Sequence, residues 1–441
     1  MKIHFIGIGG IGVSALAQYY LSKDYQVSGS DLVSSEITEA LKKKGAKILI
    51  GKHRKENLPK NVDLVIYSPA VQKTNPELRA AFKIQILSYP EALGELTEQY
   101  YTIAVSGTHG KSTTTAMISL ILIKAGLDPT VIIGTKLKEF GDSNCRVGKS
   151  KYLVIEADEH FASFLNYWPK IIVLTNIEAD HLDYYKNLNN ILKTFKKYVG
   201  HLPKDGYLVA NKDDKNIRSI FSTTVKNVLW YSLKDKESRE LQTILKIPGE
   251  HNIYNALAAL TLARTLKISD GISLKSLSEF HGSWRRFEII KGNLGGKKIT
   301  IVSDYGHHPT KVRVTLKAAR EKWPKEKIYC VYQPHQYQRT YYLFADFVKT
   351  FKQAPMNKII ITDIFDVAGR EEEDIKKKVN SEKLVKAINK KGVVYLSKEK
   401  ILDYIRDNIR EIDVLIIMGA GDIYRLVDSF SLTEKKNKKK I

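Results

Sequence analysis

Cysteine is scarce in this sequence, with only Cys145 and Cys330 among 441 residues and no CxxC motif. Two isolated thiols without metal-ligand spacing predict neither a disulfide framework nor a zinc site, and they fit a reduced, cytoplasmic compartment. No apolar run approaches the roughly 18 residues that a membrane-spanning helix needs, so stable membrane insertion is not expected. The first residues also lack the apolar segment and cleavage site of a signal peptide.

Arginine is sparse compared with lysine. The net charge is +23, and only 15 of the 71 basic residues are Arg. The lysines are spread along the whole chain and are dense only in the tail, residues 431–441, for which we predict disorder. An aromatic-rich RNA-binding motif is not visible. The charge therefore predicts solvated lysine faces and no nucleic-acid partner, and adding polynucleotide would test the alternative of a nucleic-acid-stimulated ATPase.

Apolar runs alternate with helical periodicity three times, without a repeat of fixed period. This alternation predicts an α/β protein of three domains, with Rossmann-like first and third domains and a central P-loop domain. We place the domains at residues 1–98, 99–290 and 291–430, with a glycine-rich hinge or hairpin turn at residues 291–296. The strands that anchor this prediction are residues 3–6, 25–28, 63–67, 101–105, 152–156, 171–174, 207–210, 299–302, 328–332, 358–362, 393–396 and 414–418.

The first glycine loop follows the first strand and opens a helix. Gly7, Gly9 and Gly12 satisfy G-x-G-x-x-G, and Asp31 ends the second strand. Glycines in such a loop allow the backbone to approach a diphosphate at a helix N-terminus, while the Asp accepts a hydrogen bond from a ribose or a base. On this loop alone, a nicotinamide-dependent dehydrogenase is the default interpretation.

A second loop, residues 106–112, also lies between a strand and a helix. Its Gly110-Lys111-Ser112 sequence is typical of a P-loop, with Lys111 for the terminal phosphates and the Ser112 hydroxyl for Mg²⁺. Val105 occupies the first glycine position of a strict Walker A motif. A diphosphate loop and an ATP loop in successive domains disfavour an NAD-dependent oxidoreductase and favour a ligase.

Seven motifs resemble the Mur ligase family, in the family's order and over nearly the whole chain. They are residues 107–111, 156–159, 175–183, 251–256, 284–287, 304–309 and 333–340, beside the N-terminal glycine loop. The resemblance implies an ATP-dependent ligase of peptidoglycan precursor synthesis that joins L-alanine to the carboxylate of UDP-N-acetylmuramate through an acyl phosphate. It also implies Mg²⁺ as cofactor, ATP as co-substrate, and a monomer or homodimer. The alternative within the family is a salvage ligase that attaches a murein tripeptide, disfavoured by Gln333-Pro334-His335 where Glu-Pro-Arg is expected.

The resemblance also assigns site residues. The residues implied to act in catalysis are Lys111, His181 and Arg286. The residues implied to bind ATP are Gly107, Thr108, Gly110, Lys111, Ser112, Thr113, Asn255, Arg286 and Asp304. The metal ligands would be Ser112, Glu156 and His181. The UDP-sugar site would comprise Gly7, Gly9, Gly10, Gly12, Asp31, Ser68 and His109. The amino-acid pocket would comprise Tyr305, His307, His335 and Arg339.

Several neighbours of these residues allow a plainer interpretation. Glu159 is expected to be a surface or helix-capping charge, and Asn252 a helix cap. Asn176 and Asp180 are expected to orient His181. The turn at residues 419–422 fits a phosphate contact and a simple strand-to-helix turn about equally. Gln336, where the family usually has Arg, and the altered sequence at residues 367–372 could change the amino-acid preference or the loop geometry.

Overall fold

In the computed structural model the chain forms three β-sheets, each flanked by helices. The structure describes residues 1–221, 226–294, 296–367 and 373–430. The predicted disordered tail and residues 368–372 of the altered motif lie outside the described residues. Among the helices of these ranges, none combines the length and the apolar character that spanning a bilayer requires.

The first sheet has five parallel strands in the order β3-β2-β1-β4-β5. The strand order reverses between β1 and β4, so the topological switch point of the sheet lies beside the first glycine loop. Ligands of open α/β sheets bind at such a point. The strands are β1 (Lys2–Ile6), β2 (Gln26–Asp31), β3 (Lys47–Ile50), β4 (Leu64–Tyr67) and β5 (Gln85–Ser88). The helices are α1 (Ile11–Leu21), α2 (Glu36–Lys43), α3 (Pro76–Ala80) and α4 (Tyr89–Gln99).

The second sheet has seven strands in the order β12-β11-β10-β6-β9-β7-β8, and only the β7–β8 pair is antiparallel. The strands are β6 (Tyr101–Ser106), β7 (Thr130–Leu137), β8 (Ser143–Arg146), β9 (Tyr152–Ala157), β10 (Ile171–Leu174), β11 (Tyr207–Asn211) and β12 (Val228–Tyr231). The helices along this part of the chain are α5 (Lys111–Lys124), α6 (Leu182–Tyr185), α7 (Leu188–Val199), α8 (Lys215–Phe221), α9 (Glu237–Ile244), α10 (Glu250–Thr265) and α11 (Asp270–Glu279).

The third sheet has six strands in the order β13-β14-β18-β15-β16-β17, with β13 antiparallel at one edge. Two apolar clusters cover its two faces, so its inner strands are buried on both sides. The strands are β13 (Glu288–Leu294), β14 (Lys297–Asp304), β15 (Ile328–Tyr332), β16 (Lys358–Ile361), β17 (Val393–Tyr395) and β18 (Val414–Met418). The helices are α12 (Pro309–Lys322), α13 (Tyr337–Tyr342), α14 (Phe344–Gln353), α15 (Glu373–Lys378), α16 (Ser381–Ile388) and α17 (Ile401–Asp407).

These bounds bear on the predicted domain limits. The proposed boundary between residues 290 and 291 falls inside β13, which pairs with β14 along its whole length. The third sheet therefore begins at Glu288, and the predicted glycine-rich turn at residues 291–296 includes the end of a strand within that sheet. By contact density the chain divides into two compact units. The first unit comprises residues 1–179, 187–245 and 253–280, and the second comprises residues 180–186, 246–252 and 281 onward.

Inside the first unit, helix α1 is held against the β7–β8 hairpin. The side-chain amide of Asn144 donates to the Ile11 carbonyl at 2.5 Å and to Ser14 Oγ at 2.9 Å, while Gln18 donates to Asn144 Oδ1 at 2.5 Å. Asn144 and Ser14 are both buried. These bonds join the helix that follows the first glycine loop to the second sheet.

The first sheet also contains a buried polar network that no sequence motif predicts. Glu77 is fully buried and accepts hydrogen bonds from His4, Ser30, His53 and Asn57 at 2.7–3.0 Å. Burial raises the pKa of Glu77, but these donors outweigh burial and lower it to about 2. The charged carboxylate therefore ties α3 and the preceding loop to the strands that carry His4 and Ser30.

Candidate active site

The predicted UDP-sugar residues of the first glycine loop come together at the carboxyl ends of β1, β2 and β4. Gly7 has φ +77° and donates its N–H to the Ser30 carbonyl at 2.9 Å. A Cβ on Gly7 would lie 3.0 Å from Ser68 Cβ. Asp31 Oδ2 accepts the Gly9 N–H at 2.8 Å. In this structure Asp31 therefore closes the glycine loop, a use that the dinucleotide motif does not predict.

Tyr89 is a further residue at this loop, and no motif pointed to it. A Cβ on Gly12 would lie 2.8 Å from Tyr89 Cζ, so the absent side chain at Gly12 makes room for the tyrosine ring. Burial, followed by the negative charges of Glu156 and Asp158, raises the pKa of Tyr89 above its usual value. The phenol is therefore neutral beside the first glycine loop.

The second glycine loop connects β6 to α5 and has the backbone that a P-loop needs. Gly107 and Gly110 have φ of +130° and +83°, values that L-residues with side chains rarely adopt. A Cβ on Gly107 would clash with Thr175 Oγ1, and one on Gly110 would clash with Asn255 Oδ1. Asn255 also accepts from Thr114 Oγ1 at 3.1 Å. Asn255 therefore lies against the loop, as expected of an ATP-contacting residue.

Lys111 lies at the start of α5 with its ammonium group at the loop. Its Nζ donates to the Gly107 carbonyl at 2.7 Å and to Glu159 Oε2 at 2.6 Å, and lies 3.4 Å from Asp158. Burial lowers the pKa of Lys111, but Glu159 and Asp158 outweigh burial and raise it above its usual value. The ammonium is therefore charged and held at the loop.

The expectation for Glu159 was wrong. Its side chain is buried, with 3% exposure, and it makes no capping hydrogen bond to the short helix His160–Asn166 that follows it. Glu159 instead contacts Lys111, which lies 48 residues earlier. Local sequence does not reveal this pairing, because only the alignment of β6 with β9 brings the two residues together.

Ser112 and Glu156, two of the three predicted metal ligands, lie side by side. Ser112 Oγ is 2.9 Å from Glu156 Oε2, and Glu156 Oε1 accepts the Gly134 N–H at 2.6 Å. A carboxylate and a hydroxyl are the hard oxygen donors that Mg²⁺ prefers. The hydroxyl on the first turn of α5 and the carboxylate near the end of β9 are therefore a donor pair of the kind that fits a magnesium ion.

The remaining loop residues are fixed by the end of β10. Thr108 Oγ1 accepts the Glu178 N–H at 2.9 Å, and His109 Nε2 lies 3.0 Å from Glu178 Oε2. Asn176 brackets the loop, since its side chain binds both the N–H and the carbonyl of His109. Asn176 therefore orients the P-loop, where the sequence analysis expected it to orient His181. Thr113 is buried inside α5.

In the second unit, several predicted residues adopt strained backbone. His181, Arg285 and Gln336 all have positive φ, at 53°, 56° and 73°. Residues with side chains adopt this conformation at a cost of order 1–3 kcal/mol and tend to do so at functional sites. Phe287, in the same motif as Arg285, also has positive φ, at 51°. Four such positions inside the predicted motifs support the assignment of those motifs to a site.

The two adjacent arginines have different surroundings. The Arg285 guanidinium is buried, lies 4.2 Å from the Tyr424 ring centroid and 4.9 Å from that of Tyr305, and donates to the Gly419 and Gly421 carbonyls. Arg286 is less buried and lies 5.1 Å from the Tyr305 ring centroid. Arg285 therefore holds the turn at residues 419–422 through two of its carbonyls. Arg286 stays the predicted ATP-contacting arginine.

Asp304 and Asn252 make internal contacts. Asp304 Oδ2 accepts the Phe287 N–H at 2.9 Å, and Oδ1 accepts the Gly306 N–H at 2.7 Å. Both oxygens of the predicted ribose ligand are thus engaged in holding the start of the third domain.

Asn252 was predicted to cap its helix, but α10 begins at Glu250, and the Asn252 side chain donates to the Pro248 carbonyl at 2.7 Å.

The predicted amino-acid pocket groups His307, His335 and Arg339. His307 Nδ1 lies 2.9 Å from the Tyr305 carbonyl, a bond that requires the proton on Nδ1 and leaves Nε2 as an acceptor. Burial, followed by Lys311 and Arg339, lowers the pKa of His307 well below its usual value, so the ring is neutral. His335 stacks on Phe365 at 5.5 Å between ring centroids. Arg339 Nη1 lies 3.4 Å from the His335 carbonyl.

Three family descriptions match successive parts of the chain. "Mur ligase family, catalytic domain" matches residues 2–101, "Mur ligase middle domain" residues 105–263, and "Mur ligase, glutamate ligase domain" residues 285–421. The UDP-N-acetylmuramate–L-alanine ligases of Clostridium acetobutylicum and Clostridium tetani are each 42% identical to this chain. In both cases the match covers 97% of each protein.

Solved structures show the same architecture. The UDP-N-acetylmuramate–alanine ligase of Thermotoga maritima is 28% identical, with a TM-score of 0.78 over 97% of this chain and 98% of that one. A murein peptide ligase of Psychrobacter arcticus is 23% identical, with a TM-score of 0.73 over 97% and 98% of the two chains. At that identity the second likeness shows the fold alone.

Proposed function

The chain belongs to the Mur ligase family, and we propose that it is an ATP-dependent ligase that joins L-alanine to the carboxylate of UDP-N-acetylmuramate. The observation that carries this proposal is 42% identity over 97% of both chains to ligases named for that reaction. The predicted three-domain α/β fold is confirmed, because three flanked sheets follow one another along the chain in the family's order.

The second glycine loop supports the ATP-dependent half of the reaction. Gly107 and Gly110 permit the positive-φ loop that leads into α5, and backbone N–H groups at such a helix start bind phosphate oxygens. Lys111 supplies a held cation for the transferring phosphoryl group. The muramyl carboxylate attacks the γ-phosphorus, and ADP leaves with the bridging oxygen, which gives an acyl phosphate.

The second half of the reaction forms the amide. The ammonium group of L-alanine gives up one proton to water, and the amine attacks the acyl carbon. Phosphate leaves from the tetrahedral intermediate, and the nitrogen loses a second proton to water. Positioning of the substrates supplies much of the rate for such a step. We assign Arg339 to the alanine carboxylate, because its guanidinium is buried beside His335 within the predicted pocket.

A bound Mg²⁺ would neutralise charge on the phosphates, and we assign it to Ser112 and Glu156, with His181 as the third ligand. The 2.9 Å separation of Ser112 Oγ and Glu156 Oε2 supports the first two assignments. His181 is assigned from its motif and its strained backbone.

Glu156→Gln and His181→Ala are each expected to raise the Mg²⁺ concentration at half-maximal activity. Changes around metal ligands typically cost 10–100-fold in metal affinity, so we expect a shift of roughly tenfold or more. Phosphate release at fixed ATP and varied Mg²⁺ measures it. Glu139→Gln, at an exposed carboxylate of the first unit, is the matched control for Glu156→Gln. Wild-type Mg²⁺ dependence in both site variants would return Glu156 and His181 to structural roles.

The substrate assignment is tested by phosphate release with ATP, Mg²⁺, UDP-N-acetylmuramate and a panel of nucleophiles. We expect L-alanine to react fastest, with glycine and L-serine slower but active, because a missing methyl costs only about 1–3 kcal/mol in a pocket. Omission of the UDP-sugar should abolish release. Faster ligation of a murein tripeptide than of L-alanine would replace this proposal with the salvage reaction.

A further inference from the structure

The second unit contains a buried carboxylate and a buried guanidinium side by side. Asp180 Oδ1 lies 3.5 Å from Arg339 Nη2, and the two side chains are 5% and 7% exposed. Ion pairs that are also strong hydrogen bonds have N···O distances of about 2.7–2.9 Å. The Asp180–Arg339 contact is therefore loose for a pair withdrawn from water.

Arg339 has hydrogen-bonding capacity to spare. Its Nη1 lies 3.4 Å from the carbonyl oxygen of His335 and 3.4 Å from Nδ1 of the same residue. Its buried Nε has no hydrogen-bond acceptor among the residues that the structure describes. Buried guanidinium groups are normally bonded, so an under-used one in a predicted pocket points to an anionic ligand.

Asp180 is also only partly engaged. Its Oδ1 accepts the backbone N–H of His181 at 2.8 Å. Its Oδ2 lies 3.9 Å from His181 Nε2, which is beyond hydrogen-bond distance. One carboxylate oxygen is thus fixed by the backbone, while the other is not hydrogen-bonded to its neighbour.

We propose that Asp180 binds the ammonium group of the amino-acid substrate while Arg339 binds its carboxylate. This inference rests on the proposed function and adds a specificity-determining residue to it. An α-amino acid carries its two charges on one carbon, so it fits between an anion and a cation that already lie next to each other. The loose pair then opens at little cost, and each partner gains a shorter bond to the substrate.

The proposal accounts for selection of a free amino acid over a peptide. In a peptide the ammonium and the carboxylate are separated by at least one peptide unit of about 3.8 Å between Cα atoms. A single adjacent pair of side chains cannot then bind both charged ends. Asp180 and Arg339 together therefore favour L-alanine over the tripeptide of a salvage reaction.

The test compares L-alanine with propionate, which has the carboxylate and the methyl group but no ammonium. For Asp180→Asn we expect the KM for L-alanine to rise on the order of 10–100-fold, as for loss of a hydrogen bond to a charged group. The inhibition constant of propionate against L-alanine should stay unchanged or fall, because propionate uses Arg339 alone. Asp180→Glu, which keeps the charge, should recover part of the loss, and Asp346→Asn, an exposed control, should lose nothing.

An unchanged KM for L-alanine in Asp180→Asn would overturn the proposal. A rise in the inhibition constant of propionate that parallels the rise in KM would also overturn it, because it would show that Asp180 only positions Arg339. Trapping of the acyl phosphate by hydroxylamine separates this failure from failure of the proposed function. If the wild-type protein forms no hydroxamate, the ligase assignment fails first. If the wild-type protein forms hydroxamate and Asp180→Asn does not, the KM of the variant cannot be measured. Calorimetric affinities of Asp180→Asn for L-alanine and for propionate then replace the KM and the inhibition constant in the same comparison.

Discussion

Lys111→Met is expected to reduce ATP-dependent ligation by about 10²–10³-fold, the usual cost of losing one pre-organised charge contact to a transition state. The Lys111 ammonium is held by the Gly107 carbonyl and by Glu159 at the loop that would receive the phosphates. Methionine keeps the length of the side chain but removes the charge. Phosphate release with UDP-N-acetylmuramate and L-alanine measures the loss.

The first glycine loop gives an internal control for this variant. It lies on β1 and α1, away from Lys111 along the chain, and its bonds involve Ser30, Asp31 and Ser68. UDP-N-acetylmuramate binding by calorimetry should therefore stay at the wild-type affinity. Lys124→Ala, at the other end of α5 in a more exposed pair with Glu279, should keep full activity. Near-normal ligation by Lys111→Met would remove the P-loop assignment.

Loss of Lys111 also leaves Glu159 as a buried carboxylate without its cation, which is strongly destabilising in general. A double variant, Lys111→Met with Glu159→Gln, removes that charge as well. It should regain the thermal stability lost by the single variant and remain inactive. Recovery of activity in the double variant would show that the single variant had failed by misfolding.

The strands best predicted from sequence are those buried on both faces. Residues 171–174, 328–332 and 414–418 were predicted with their observed bounds, because buried parallel strands appear as unbroken apolar runs. β3 and β5 were missed, since both are four-residue edge strands with largely exposed or half-exposed side chains. The β7–β8 hairpin was missed too, as its polar second strand SNCR is buried only through tertiary contacts.

The glycine loops were predictable because their signal is local. Gly107, Gly110, Lys111 and Ser112 are consecutive or nearly so, and the positive φ of both glycines follows from the turn that the motif makes. Glu159, Tyr89 and the Asp180–Arg339 contact were not predictable in this way. Their partners lie 48, 77 and 159 residues away, and only the folded chain brings them together.

Gln336 makes amino-acid recognition depend more heavily on one cation. The family usually has Arg at this position, whereas here Gln336 has φ +73° and its N–H donates to the Phe365 carbonyl at 3.0 Å. Gln336 immediately precedes α13, and the arginine one turn later is Arg339. We therefore expect Arg339 to carry most of the binding energy for the substrate carboxylate.

Arg339→Ala should raise the KM for L-alanine on the order of 10²–10³-fold, as for truncation of one partner of a buried charge pair, and leave the KM for ATP unchanged. Arg339→Lys should recover only part of the loss, because an ammonium cannot bind both carboxylate oxygens as a planar guanidinium does. Arg313→Ala, exposed on α12, is the control. The wild-type preference for L-alanine over L-alaninamide should vanish in Arg339→Ala, since the amide lacks the charge that Arg339 binds. An intact preference would mean that another cation holds the carboxylate.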